Sequence, residues 1–320
     1  MDLVEAQRAA EIFAGQRNYL LGVSYRLTGS WADAEDVVAE AWPRWAEHAD
    51  EVLQPRAWLT RAVGRLSLDH LRSARVRRET YIGPWLPEPL VTAAPVSVGG
   101  SGGADVGRGG GGAGAGSDEN EPLSLLVRDE SVRMAFLVVL DELGPEQRLA
   151  VVLHDVIGLD FGEVAEVIGC SVAAARQHAS RGRRRLSESD PAPRPSAELA
   201  WSVLGEMSSA LFAGDVARLS QLLAPDVVLS SDGAGKVNAA RRRLVGVGEV
   251  SRFLSGLASK YGGSASAEPV LVNGDPGFLI RVESDRPQDP KISVYTVALR
   301  GQLIVGVYAV VTPDKLTHLR

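Results

Sequence analysis

The sequence is poorest in the residues that covalent and metal chemistry need. Cys170 is the one cysteine in 320 residues, which excludes an intrachain disulfide and fits a reducing, cytoplasmic setting. The five histidines are scattered and Cys170 has no cysteine partner, so neither a metal site nor a cofactor is expected. No apolar run approaches the ~18 residues of a membrane span. The first residues, MDLVEAQRAAEIFAGQ, are acidic and amphipathic and do not form a signal-peptide pattern. A net basic charge is also missing: the chain carries −6, which taken alone argues against nucleic acid. With 45% hydrophobic and 23% charged residues, the composition is that of a globular protein. The length suggests two or three domains at roughly 100–200 residues each.

The distribution of charge reverses the reading of its sum. Residues 1–55 hold ten acids and four arginines, whereas residues 56–78 hold seven arginines against the single acid Asp69. Residues 171–185 hold five arginines and no acid. A charge run usually marks a solvated helix face. Two basic blocks in an acidic chain, each ending a helical pattern, point to two polyanion contacts.

The apolar spacing of Ile12, Tyr19, Leu20, Val23 and Leu27 predicts a helix that Gly29-Ser30 breaks. Ser30 reads as an N-cap, with Asp33 in the place of a capping-box Glu. The next helix puts Ala34, Val37, Val38, Ala41, Trp42 and Trp45 on one side and Asp33, Glu35, Asp36 and Glu40 on the other. Pro55 opens a third helix, about 56–78. Residues 81–127 read as a flexible linker, because eleven of the eighteen residues 99–116 are glycine. Trp85-Leu86-Pro87-Glu88-Pro89, just before that stretch, is stiff and has an aromatic anchor, so it is a candidate for docking on a folded surface. Residues 128–190 return to helix. There a short helix at 160–168, a turn at Gly169-Cys170 and a Ser171-capped basic helix have helix-turn-helix spacing. From 196 to 320 two helices precede strand-like runs at 227–230, 270–272, 278–282, 292–299 and 303–310, with a helix at about 248–259 between them. Helices followed by a curved antiparallel sheet predict an α+β domain.

Three runs in order carry a family resemblance: Asp33-Ala34-Glu35-Asp36-Val37-Val38, then Trp58-Leu59 through Leu68-Asp69-His70-Leu71-Arg72, then Leu143-Gly144-Pro145-Glu146-Gln147-Arg148 leading into the helix-turn-helix. The chain resembles the extracytoplasmic-function sigma factors over residues 5–80 and 128–187. Residues 196–311 resemble the SnoaL-like group of the NTF2-like fold. Asp232-Gly233-Ala234-Gly235-Lys236, with Trp85–Pro89, resembles the sigma subgroup that carries such a domain at its C-terminus. The pattern there is Asp-Gly-Gly-Gly-Lys, and Ala234 departs from it. The chain departs further at Arg65, where the family has Asn, at Ala39, where it has Gln, and at Ala174, where it has Thr.

The resemblance implies a multidomain chain of two all-α sigma domains and an α+β cone, with core RNA polymerase and promoter DNA as partners. Asp33, Asp36 and Glu40 would meet a basic polymerase surface. Arg61, Arg65, Arg72 and Arg75 would track phosphates around the opened −10 element. Trp58 reads as core. Arg176, Gln177, Ser180 and Arg181 would read the −35 element in the major groove, with Arg184 on phosphate. Trp85, Leu86, Pro87, Asp232, Gly233, Gly235 and Lys236 would join the C-terminal domain to the linker or the sigma domains. That domain has one histidine, His318, and Asp232 sits in a glycine-rich turn, so regulation is the expectation there rather than catalysis. A ligand-binding helix-turn-helix repressor or activator, or an NTF2-like enzyme fused to DNA-binding helices, would be the alternatives; the acidic helix would have no purpose in the first of these.

Overall fold

In a computed structural model of the chain, residues 3–78, 80–94, 129–189 and 194–319 are described. The glycine-rich stretch 99–116 and Pro191 and Pro193 lie outside them.

Three helices come first: α1 (Leu3–Thr28), α2 (Trp31–His48) and α3 (Pro55–Arg78). Gly29 breaks the first from the second with φ +72°. Ser30 caps α2, its hydroxyl accepting from the Asp33 amide at 3.2 Å. The rest of the cap differs from the expected box. The first amides of α2 are taken by Glu88, 57 residues downstream of Trp31, whose amide is 2.8 Å from the Glu88 carboxylate. A carboxylate there also complements the positive end of the helix.

Residues 80–94 are docked along the folded surface, and β1 (Val91–Ala93) extends the sheet of the C-terminal domain. The second helical group is α4 (Met134–Asp141), α5 (Pro145–Val151) running into a π turn at Val152–Val156, α6 (Phe161–Ile168) and α7 (Val172–Ser189). Asp160 and Glu163 form a capping box on α6, Gly169 ends it in the left-handed region, and Ser171 caps α7 by accepting from Ala174. Leu20, Val23, Leu59 and Val63 share one buried core with Leu149, Leu153 and Val164, so the two helical groups pack as one body. Gly64 permits a close approach between them, since a Cβ there would lie 3.0 Å from Val167.

The C-terminal unit is α8 (Ala197–Ala213), α9 (Val216–Leu222), β2 (Leu223–Asp232), β3 (Leu244–Val245), α10 (Val247–Tyr261), β4 (Ala265–Val272), β5 (Asp275–Val282), β6 (Ile292–Arg300) and β7 (Leu303–Val310). The sheet order is β1-β4-β5-β6-β7-β2-β3. The α+β class is as expected, but the sheet is mixed, because β2 runs parallel to β7. Alternation along each strand makes two apolar faces. Val227, Leu229, Val297 and Val307 meet α8 to α10. Val270, Val272, Val294 and Val310 meet Leu86 of the linker segment and Met134 and Val138 of α4. The sigma-like half therefore shares a core with the outer face of the sheet. Burying Leu86 to 1% exposure contributes roughly 1.5–3 kcal/mol to that contact.

Candidate functional site

Asp232 ends β2 with no exposed surface. Its carboxylate accepts from the Tyr81 hydroxyl at 2.5 Å, the Leu86 amide at 2.8 Å and the Lys315 ammonium at 2.7 Å. Lys315 also donates to the Leu86 carbonyl and lies 4.1 Å from the centre of the Trp85 ring. Three donors, one of them the cation of Lys315, meet the needs of a buried carboxylate. Beside it, the turn 233–236 is shaped by close approach. At Gly235, with φ +69°, a Cβ would stand 2.9 Å from Ile82; at Gly233 it would stand 2.7 Å from Ala239. Ala234 holds φ +52°, a left-handed conformation in a residue with a Cβ. Lys236 pairs with Asp314 on the surface. Asp232, Gly235, Trp85 and Leu86 thus come together as one clamp on the linker. Gly233 shapes the turn, and Lys236 ties it to the final helical turns. Pro87 is buried beside them.

The same segment is anchored on its other side. A Cβ at Gly29 would lie 2.9 Å from the Trp85 ring and 3.2 Å from the Arg148 guanidinium, so Trp85 sits in a corner between the two helical groups. The Glu88 amide donates to Gly29 at 2.8 Å, and Tyr25 donates to the Glu88 carbonyl at 2.7 Å. Burial pushes the Tyr25 phenol well above its ordinary range, so it is a donor at neutral pH. Asn273 completes the junction. Its carboxamide donates to Tyr25 and to the Val132 carbonyl, each at 2.7 Å, and accepts from Leu90 at 3.1 Å. Asn273-Gly274 is a two-residue turn between β4 and β5, with φ +54° and +80°. Tyr81, Asn273 and Lys315 were not among the residues expected from sequence. Asn-Gly between two strand runs was the one local signal that could have marked Asn273.

Three arginines of α3, Arg61, Arg65 and Arg72, reach the second helical group. Arg61 pairs with Glu163 at 3.1 Å, Arg65 donates to the Glu166 carbonyl at 3.2 Å, and Arg72 pairs with Glu146 at 2.9 Å. Asp69 lies 3.8 Å from Arg72. Burial raises the Glu146 carboxyl, but its own amide and Arg72 outweigh that and hold it below the usual range. Further in, Arg26 of α1 reaches Asp129 at 2.6 Å and Ser131 at 2.7 Å. Trp58 is half-buried, 5.7 Å from the Trp45 ring. The side chain of Arg75 lies outside the described residues.

The basic helix α7 presents the opposite condition. Arg176, Gln177, Ser180, Arg181 and Arg184 are all exposed. Arg176 lies 5.6 Å from the Phe161 ring centre, and Phe161 stacks on His154 at 3.8 Å. Arg183 is held by Asp155 at 2.6 Å. On α2, Asp36 and Glu40 are exposed and Asp33 half-exposed, with Glu40 paired to Arg44 at 2.9 Å. Among the described residues no cluster of three His, Cys, Asp or Glu could hold a metal, and no helix is long and apolar enough to cross a membrane.

The arrangement can therefore do two things: present a basic helix to duplex DNA, and hold a linker between a helical body and a third domain. Comparison with known proteins gives these a context. Residues 13–77 match the family model for sigma-70 region 2, and residues 133–186 match that for sigma-70 region 4. The chain is 41% identical to the ECF RNA polymerase sigma factor SigJ of Mycobacterium tuberculosis, over 95% of this chain and 92% of that protein. It is 30% identical to SigG of the same organism, over 66% of this chain and 58% of that protein. The crystal structure of M. tuberculosis SigJ superposes with a TM-score of 0.73 at 37% identity, covering 96% of this chain and 98% of that one. With region 2 and region 4 in order, and that identity along nearly its whole length, this chain belongs to the ECF RNA polymerase sigma factors.

Proposed function

We propose that the C-terminal domain regulates this sigma factor by fixing the linker between its two DNA-binding domains. The observation that carries the reading is the Asp232 carboxylate, buried and shared by Tyr81, Leu86 and Lys315. A segment held by a charged, desolvated group is held in register, and both helical groups touch that segment.

As a sigma factor the chain acts with core RNA polymerase on promoter DNA. In the reading proposed here, Asp33, Asp36 and Glu40 meet the polymerase. Arg176, Gln177, Ser180 and Arg181 read the −35 element, and Arg184 contacts its backbone. Arg61, Arg65, Arg72 and Arg75 serve the −10 element. The first three of these are turned onto the second helical group, so contact with the −10 element requires α3 to exchange Glu146 and Glu163 for DNA phosphates. The arrangement is then a closed one, in which the −35 helix is presented and the −10 helix is occupied. The C-terminal domain is read as a regulator, because its buried Asp232 carboxylate is engaged in holding the linker. The cytoplasm, where polymerase is found, is its place of action.

Promoter-specific transcription with purified core polymerase tests the reading. Trp85→Ala, at equal protein level, changes output by about threefold or more if the linker position matters, a threefold change being about 0.7 kcal/mol. Unchanged output removes the regulatory role of the docked linker.

A further inference from the structure

The inner face of the C-terminal sheet and helices α8 and α10 enclose a cavity of about 430 Å³. Its volume is within the ~300–1,000 Å³ typical of small-molecule sites. The chemistry of its wall is unusual in one respect: none of its lining residues is Asp, Glu, Lys, Arg or His. The bulk of the wall is apolar, with Leu257, Phe253, Phe278 and Ile280 among its members. Phe212, at the end of α8, belongs to the same wall and is 74% exposed, which places an aromatic ring at the entrance. The polar groups are neutral hydroxyls and one carboxamide. Burial pushes the Tyr295 phenol up to about 12, so it carries no charge at neutral pH. Asn238 and Tyr261 donate to Asp289 behind the wall, at 3.0 and 2.7 Å. Lys260 also pairs with Asp289, at 2.9 Å. The local carboxylate is thereby satisfied from behind and is not among the lining residues.

We propose that this cavity binds an uncharged, largely apolar small molecule with one or two hydrogen-bonding groups. A charged ligand would lose its hydration and meet no counter-charge, which is prohibitive in an apolar cavity. A purely polar one would leave the aromatic and aliphatic wall unmatched. An apolar body oriented by Ser231, Asn238 or Tyr295 satisfies both parts of the wall.

The position of the site gives binding a consequence. Ser231 lines the cavity, and Asp232, the next residue on β2, faces the opposite side of the sheet and holds the linker. Val311 lines the cavity too, and its amide donates to the Asp232 carbonyl at 2.9 Å. A ligand against Ser231 and Val311 touches the two chain segments that position the clamp. This consequence rests on the regulatory reading above; binding itself does not.

The test uses the full chain and N-phenylnaphthylamine, an uncharged aromatic whose fluorescence rises in apolar surroundings. Titration should saturate at about one probe per chain, and the sulfonated analogue anilinonaphthalene sulfonate should bind about tenfold more weakly or worse, a 1.4 kcal/mol difference. Leu257→Trp and Ala258→Trp narrow the cavity and should each weaken the uncharged probe by about tenfold, with the melting temperature unchanged within about 2 °C. Phe212→Ala, at an exposed position that does not threaten the fold, should weaken it by about threefold. Saturable binding lost in the filled variants supports the site. Binding that never saturates, that survives all three variants, or that favours the sulfonate overturns it. A failed titration beside a Trp85→Ala effect on transcription would sink this site and leave the regulatory reading standing; the converse pair of results would do the opposite.

Discussion

The Leu86 amide donates to the buried carboxylate of Asp232 at 2.8 Å, across 146 positions of the chain. Tyr81 and Lys315 complete the carboxylate, Trp85 is set between Lys315 and Gly29, and Glu88 continues into the cap of α2. One short segment therefore connects the C-terminal domain to the first turn of α2.

Gly29 and Trp85 should behave as a coupled pair. A side chain at Gly29 meets the Trp85 ring at 2.9 Å and also strains a backbone at φ +72°. Gly29→Ala and Trp85→Ala should each destabilise the chain, and the double variant should cost about 1 kcal/mol less than the sum, as contacting residues do. Urea unfolding of the four proteins measures this. Strict additivity would show that Trp85 does not rest on Gly29.

Ala234 is the left-handed residue with a Cβ in the clamp turn, at φ +52°. Left-handed backbone costs a residue with a Cβ roughly 1–2 kcal/mol. Ala234→Gly should therefore stabilise the C-terminal domain by about 1 kcal/mol after allowing for the greater freedom of glycine in the unfolded chain. A lower melting temperature in that variant would contradict the assigned turn.

Glu146 and Glu163 occupy two arginines of α3. Such partly exposed pairs are worth ~0.2–1 kcal/mol each. Glu146→Gln with Glu163→Gln should raise the affinity of the free chain for single-stranded AT-rich DNA by about threefold to tenfold. Fluorescence anisotropy reads it directly. Equal affinities would mean that α3 does not offer these arginines to DNA.

Asp129 and Glu146 also set a pH dependence. Burial raises each, but Ser131 and Arg26 hold Asp129 below its ordinary 3.8, and the amide of Glu146 with Arg72 holds that carboxyl below 4.5. Depressed carboxylates stabilise the fold above their ordinary values and lose that contribution as pH falls through the depressed ones. The melting temperature should fall on acidification from about pH 5 towards 3, and Asp129→Asn should flatten part of that slope. A slope identical in the variant would deny Asp129 its part.

Local patterns carried much of this structure. Ser30 and Ser171 marked their helix starts, and the strand runs of the last domain all formed strands. The parts that were not legible depend on partners far away in the chain. Val91-Thr92-Ala93 is too short to show an alternating pattern, and it becomes a strand only because Val270 to Val272 offers an edge. Arg61 and Arg72 look like a solvated, DNA-ready face until Glu163 and Glu146 are brought opposite them. Asp232 in a glycine-rich run suggests a turn for backbone reasons, and its burial against Lys315 follows from packing that no local spacing encodes.

The central claim is that the buried carboxylate of Asp232 transmits the C-terminal domain to transcription. Single-round transcription with core polymerase and Asp232→Asn tests it most directly. The variant keeps the shape of the side chain while removing the charge that faces Lys315, and its far-ultraviolet circular dichroism should match that of the parent chain. The account predicts promoter-specific output altered by about threefold or more at equal protein concentration. Output equal to that of the parent chain would contradict it.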